Sequence, residues 1–149
     1  MKNFYKATPF NINPGKVDLA WDRYVNCGEL PKNSIRKIIS DSWARCLEDG
    51  VDPSSSKTRL SVNDNTYQAL LKDNAQLVEV AKPVMEHARD LLAGSGSMMI
   101  LADRNGICLH VEGDRKTVED GHDIRLAVRA NWSERAAGTN AIGTVLSVG

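Results

Sequence analysis

The sequence predicts an α+β fold in which N-terminal helices and one long helix lead into an antiparallel sheet flanked by helices. Three observations carry this. Apolar residues recur at helical spacing from Leu19 to Leu92. Gly94-Ser95-Gly96 then ends that pattern, and Met98–Ala102 is a continuous apolar run of strand length. Asp103-Arg104-Asn105-Gly106 is a hairpin-turn sequence followed by alternation, with Ile107, Leu109 and Val111 on one face and Cys108 and His110 on the other.

Taken in order, residues 1–16 hold three Asn, two Pro and a Gly and read as a loosely ordered arm. A short helix is expected over Asp18–Cys27, with Asp18 as its cap. Pro31 punctuates. A second helix fits Ser34–Glu48, where Ile35, Ile38, Ile39, Trp43 and Cys46 or Leu47 form one stripe, and Gly50 suits its C-terminal cap. Asp52-Pro53 and the serines after it, with Lys57 and Arg59, read as a turn and solvated linker.

The longest helix is expected over Asn63–Ala93, opened by a capping box of Ser61 and Asp64. Leu70, Leu77, Val84 and Leu91 recur every seventh residue, and Leu71, Val78, Met85 and Leu92 repeat one place later. Tyr67, Asn74, Ala81 and Ala88 flank them. Two such columns are wider than a two-stranded seam needs, so packing in a bundle or across a homodimer is expected through Leu70, Leu77, Val84 and Leu91. Pro83 interrupts the column without a phase break, which predicts a kink near Val80–Lys82 in a roughly continuous helix. Beyond the hairpin, 113–121 reads as polar loop and Asp123–Ala130 as a short helix.

The bulk numbers exclude several functions. Lys+Arg and Asp+Glu number 19 each in 149 residues, so no net field draws this segment to nucleic acid or an anionic membrane. No apolar run approaches membrane-spanning length, and Met1–Lys6 opens no signal peptide. Three widely spaced cysteines point to a reduced, cytoplasmic protein. The sequon at Asn131-Trp132-Ser133 carries no weight without a secretory signal.

Gly138-Thr139-Asn140-Ala141-Ile142-Gly143-Thr144 has the glycine spacing of a phosphate loop. Thr144 stands where the lysine should be, which removes the charge such a loop supplies. The residues read better as a short helix capped by Thr139 or Asn140, with Ile142, Val145 and Leu146 facing a core. Gly138 and Gly143 then allow a positive φ or close packing. Cys108 and His110, sharing a strand face, are candidate pocket residues but too few for a metal site. No catalytic constellation, metal or cofactor is expected. The candidate ligand contacts are Cys108, His110, Trp132, Thr139, Asn140 and Gly143.

Two segments, taken together, resemble the N-terminal sensory region of bacterial sigma-54-dependent activators of the acetoin and glycerol (dihydroxyacetone) catabolism type. One is Arg36-x-x-Ile39-x-x-Ser42-Trp43-x-Arg45-Cys46-x-x-x-Gly50-Val51-Asp52-Pro53. The other runs from Leu91-Leu92-Ala93-Gly94-Ser95-Gly96 through Ile100-Leu101-Ala102-Asp103-x-x-Gly106 to Trp132-Ser133-Glu134-x-x-x-Gly138-Thr139-Asn140-Ala141-Ile142-Gly143-Thr144. The resemblance implies a GAF-like domain of five or six antiparallel strands, present here in part. Residues 1–30 would then be an arm and short helix, 31–96 a helical signalling and dimerisation region, and 97–149 the first part of the GAF-like domain. Such a sheet continues past Leu146, so the chain reads as a shortened form, or as one whose sheet a partner completes. The implied function is non-enzymatic signal sensing, by a small-molecule inducer or a regulatory protein, relayed to ATPase and DNA-binding modules that these residues do not contain. The alternative is a dimerisation or protein-docking module without a small ligand.

Overall fold

The computed structural model describes residues 14–29, 35–55, 58 and 61–149. Most of the expected N-terminal arm, Pro31, Ser34, and the linker residues Ser56, Lys57 and Arg59 lie outside them. The elements are α1 Pro14–Cys27, α2 Lys37–Glu48, α3 Asp64–Asp73, α4 Ala75–Leu91, β1 Met98–Ala102, β2 Cys108–Gly113, α5 Arg115–Asp123, α6 Glu134–Ala137 and α7 Ala141–Val148. This is the mixed α+β architecture expected, with a two-stranded antiparallel sheet at its centre. No described helix is long and apolar enough to cross a membrane.

The first helix opens a turn before Asp18, with Pro14 at its first position, where the missing N–H costs nothing. α2 ends as anticipated at Gly50, whose φ is +66°. The amides of Gly50 and Val51 return to the carbonyls of Leu47 and Cys46, satisfying the last turn and directing Val51 inward.

The helix expected to run continuously over Asn63–Ala93 divides at Asn74. Asn74 sits at φ −108°, ψ 19°, and its Nδ2 donates to the Leu70 carbonyl at 2.9 Å, competing locally with the helical backbone. α4 continues through Pro83. Asn63 caps α3 by accepting from the Thr66 amide, while Ser61 bridges to Ala130 instead of forming the capping box. α4 packs on both strands. Tyr67, Leu71, Val78, Ala81, Met85 and Ala88 are half-buried, whereas Leu77, Val80, Val84 and Leu91 are exposed and Leu70 is half-buried.

β1 and β2 pair with Ile100 opposite Val111 and Leu101 opposite His110. A bulge between Leu101 and Ala102 leaves buried Leu109 without a cross-strand partner. Tyr67 compensates by donating its hydroxyl to the Leu109 carbonyl at 2.8 Å, pinning α3 to the sheet. On the other edge of β2, the Cys108 amide donates to the Ala130 carbonyl at 2.9 Å and the Trp132 amide to the Gly106 carbonyl at 2.8 Å. The chain from Ala130 to Trp132 is thereby laid alongside the hairpin.

Two local expectations change. Helix α5 occupies most of the span read as loop, and the span read as helix, after Asp123, is irregular. α5 has few apolar residues to betray its period. Arg125 and Arg129, with φ of 60° and 76°, cannot continue a right-handed helix. In α7 the buried residues are Gly143 and Thr144, and Val145 and Leu146 face outward. The reason is Gly143, where an added Cβ would lie 2.5 Å from the Glu134 amide nitrogen. That approach turns the Gly143–Thr144 side of α7 against α6.

Candidate functional site

The two motif segments meet in space. Arg45 of α2 grips Glu134 of α6 through two hydrogen bonds, Nε to Oε2 at 2.6 Å and Nη2 to Oε1 at 2.9 Å. Glu134 is 4% exposed. Burial is the largest influence on its carboxyl and opposes ionisation. Hydrogen bonds from Arg45, Ser42 and Thr144, with the guanidinium charge, outweigh it and hold the pKa down at about 2. Arg45 is correspondingly raised, first by its hydrogen bond to Glu134.

Beside this pair, the hydroxyls of fully buried Ser42 and Thr139 are hydrogen-bonded at 2.6 Å, and Ser42 Oγ lies 3.4 Å from the Thr144 hydroxyl. Cys46 Sγ is 3.9 Å from the Glu134 carbonyl and 3.7 Å from Thr139 Oγ1. Burial, foremost, raises the Cys46 pKa and keeps the thiol neutral. Among the described residues no buried side-chain nitrogen or oxygen lacks a partner, so the network is closed.

On the other side of α2, Trp43 stacks on Tyr24 of α1 with ring centroids 4.7 Å apart and meets the edge of Trp21 at 5.3 Å. The Tyr24 hydroxyl donates to the Trp43 carbonyl at 3.2 Å. Between these rings, the Val51–Ser55 turn and the Ala137–Thr139 corner lies a cavity of about 240 Å³, with Cys46 in its wall.

The expected ligand residues fall in separate places. Thr139 lines the cavity. Asn140 builds the corner: its Oδ1 caps α7 by accepting from the Gly143 amide, and its Nδ2 donates to the carbonyls of Trp132 and Gly138. Gly143 admits the Trp132–Glu134 backbone. The Trp132 indole donates to the Arg125 carbonyl at 3.2 Å. Cys108 and His110 lie on β2, outside the cavity wall. Cys108 is fully buried, its thiol pushed up to about 11 by burial and then by the Asp103 charge. His110 contacts Glu112 at 3.1 Å, and Glu112 in turn receives Arg89 of α4 at 2.9 Å.

Reasoning from sequence missed the aromatic wall of Trp21, Tyr24 and Trp43 and the pairing of Arg45 with Glu134. A signal existed for the second. Both residues stand at defined places in the two motifs, and an acid without a nearby partner invites a search for a distant base.

The chain is 30% identical over 128 residues to the acetoin dehydrogenase operon transcriptional activator AcoR of Bacillus subtilis, covering 86% of this chain and 21% of that protein. It is 26% identical over 137 residues to the propane 2-monooxygenase operon transcriptional activator MimR of Mycolicibacterium smegmatis, covering 91% of this chain and 22% of that one. The chain thus spans about a fifth of the length of these curated relatives. The fold matches a chain in the crystal structure of the E. coli DhaR(N)–DhaL complex with a TM-score of 0.68 at 17% identity, over 76% of this chain and 38% of that chain. The match to a family model covers residues 13–149, and the chain belongs to the family of the MimR N-terminal domain.

Proposed function

We propose that this chain is the signal-receiving region of a bacterial sigma-54-dependent transcriptional activator, acting without catalysis of its own and relaying a signal to ATPase and DNA-binding modules. The observation that carries this reading is the latch between the two motif segments. Arg45, Ser42 and Cys46 on one side and Glu134, Thr139 and Thr144 on the other join the N-terminal helices to the corner that precedes α7. A cavity adjoins that latch and shares Cys46 and Thr139 with it. An effector acting there changes how α1 and α2 sit against α6 and α7, and a two-state packing of that kind transmits a signal. The relatives named above are transcriptional activators, which supports the reading.

The test is a transcriptional reporter driven by the full-length activator carrying Glu134→Gln, measured with and without acetoin. Severing the latch is expected to change basal or induced output about tenfold, the effect of 1.4 kcal/mol on a two-state equilibrium. Unchanged output from a normally accumulated, folded protein would reject it.

A second reading, docking to a second copy or a regulatory protein, is favoured by the exposed row Leu77, Val80, Val84 and Leu91 on α4. The fold match to a chain crystallised as the DhaR(N)–DhaL complex lends it support. Here Val80→Glu with Val84→Glu is expected to abolish concentration-dependent self-association in light scattering. A wild-type chain that stays monomeric at every concentration would remove the homodimer.

A further inference from the structure

We propose that the cavity between α1, α2 and the Ala137–Thr139 corner is a binding site for a small, neutral organic molecule with an apolar body and one or two hydroxyl or carbonyl oxygens. This rests on the signal-receiving reading for its purpose but not for its existence.

Size sets the first bound. An apolar cavity of about 150 Å³ accepts benzene. The volume here is about 240 Å³, enough for a molecule of somewhat more than six heavy atoms. Trp21, Tyr24 and Trp43 form the apolar side of its wall, against which such a body can pack, beside a polar side that includes Thr139.

Charge sets the second bound. Among the described residues that line the cavity, no cation is present, so a carboxylate or phosphate enters without a counter-charge. The carboxylate among the described wall residues, Asp52, already accepts from the Ser54 amide at 2.9 Å and the Ser54 hydroxyl at 2.6 Å. An aromatic cage for an ammonium group needs ring faces turned to the guest. Tyr24 and Trp43 each give one ring face to the other, which leaves fewer faces for such a cage. What remains for recognition is neutral: the hydroxyls of Tyr24 and Thr139 and the thiol of Cys46. The Tyr24 proton is committed to the Trp43 carbonyl, so its oxygen is left as an acceptor. Thr139 Oγ1 is hydrogen-bonded to Ser42, and a guest that bonds to Thr139 therefore touches the latch directly.

Two of the three tryptophans, Trp21 and Trp43, line the cavity, so occupancy is read by intrinsic fluorescence of the whole chain. Cyclohexanol, cyclohexanecarboxylate and cyclohexylammonium, matched in shape, are titrated in parallel. The expected result is a saturable change with cyclohexanol and binding at least tenfold weaker for both ions. Ala137→Phe fills the cavity from α6 and is expected to abolish the cyclohexanol response. Ser55→Phe, at an exposed wall position, does the same should Ala137→Phe fail to fold, and thermal unfolding identifies that case. Equal or tighter binding of either ion overturns the neutral class, and tighter cyclohexylammonium binding makes the site a cation cage. Absence of saturation with all three, or binding that survives a folded cavity-filling variant, overturns the site. Cyclohexanol binding together with an unmoved Glu134→Gln reporter leaves the site standing and removes the signalling reading. The opposite pair of results removes only the ligand.

Discussion

Arg45 and Glu134 stand 89 residues apart in sequence and are joined by two hydrogen bonds that clamp α2 to α6. Removing one partner of a buried pair leaves an uncompensated charge. Arg45→Ala is therefore expected to cost about 3 kcal/mol, the low end for such pairs, since a third of the Arg45 side chain stays open to solvent. Replacing both residues, Arg45→Met with Glu134→Leu, should recover most of that loss. Urea unfolding of the wild type, Arg45→Met, Glu134→Leu and the double variant closes the cycle, and additive losses would contradict the pairing.

Acid should loosen the same clamp. The Glu134 carboxyl lies near 2 in the folded chain, against about 4.3 when unfolded. A depressed folded pKa means the unfolded chain binds more protons between those values, so stability is full above about pH 5 and falls as pH drops toward 2. Urea midpoints across that window should fall more steeply for the wild type than for Glu134→Gln. Parallel curves would assign the acid sensitivity elsewhere.

Gly143 is irreplaceable for a reason of space. An added Cβ would meet the Glu134 nitrogen at 2.5 Å and the Trp132 oxygen at 2.7 Å, both backbone atoms that cannot swing aside. Gly143→Ala is expected to destabilise by about 2–3 kcal/mol in the manner of an overpacked core. Gly94→Ala, with open space around it but φ of +77°, should cost about 1 kcal/mol. Thermal melts that ranked the two in reverse would place the constraint in backbone conformation instead.

Asn140 offers a sharper comparison. Asn140→Ala loses the cap and both Nδ2 bonds, for about 1–2 kcal/mol. Asn140→Asp keeps the capping oxygen yet turns an anionic oxygen toward the carbonyls of Trp132 and Gly138. It should be no more stable than the alanine variant at neutral pH and should gain on it as the pH falls. A fully tolerated Asp at pH 7 would mean the cap alone matters.

Much of this fold was readable from short-range chemistry. Gly50 ending α2, the Asp103–Gly106 turn and Asn140 capping α7 each depend on neighbours a few residues away. The break at Asn74 was less legible, because a sevenfold column of apolar residues runs through it and Pro83 is the louder signal. α5 was hidden by its polar composition, and outward-facing Val145 and Leu146 by the assumption that apolar residues point to a core.

What the sequence by itself determined is the α+β class, the hairpin turn, the ends set by Gly50 and Asn140, and the two motifs that carry the resemblance. Tertiary structure alone decided that those motifs form one clamp, that Trp21 and Trp43 wall a cavity, and that Cys108 and His110 lie outside it. Periodicity and turn chemistry act over a few residues. The contacts of Arg45 with Glu134 and of Ser42 with Thr139 are instead set by how packed helices bring distant segments together.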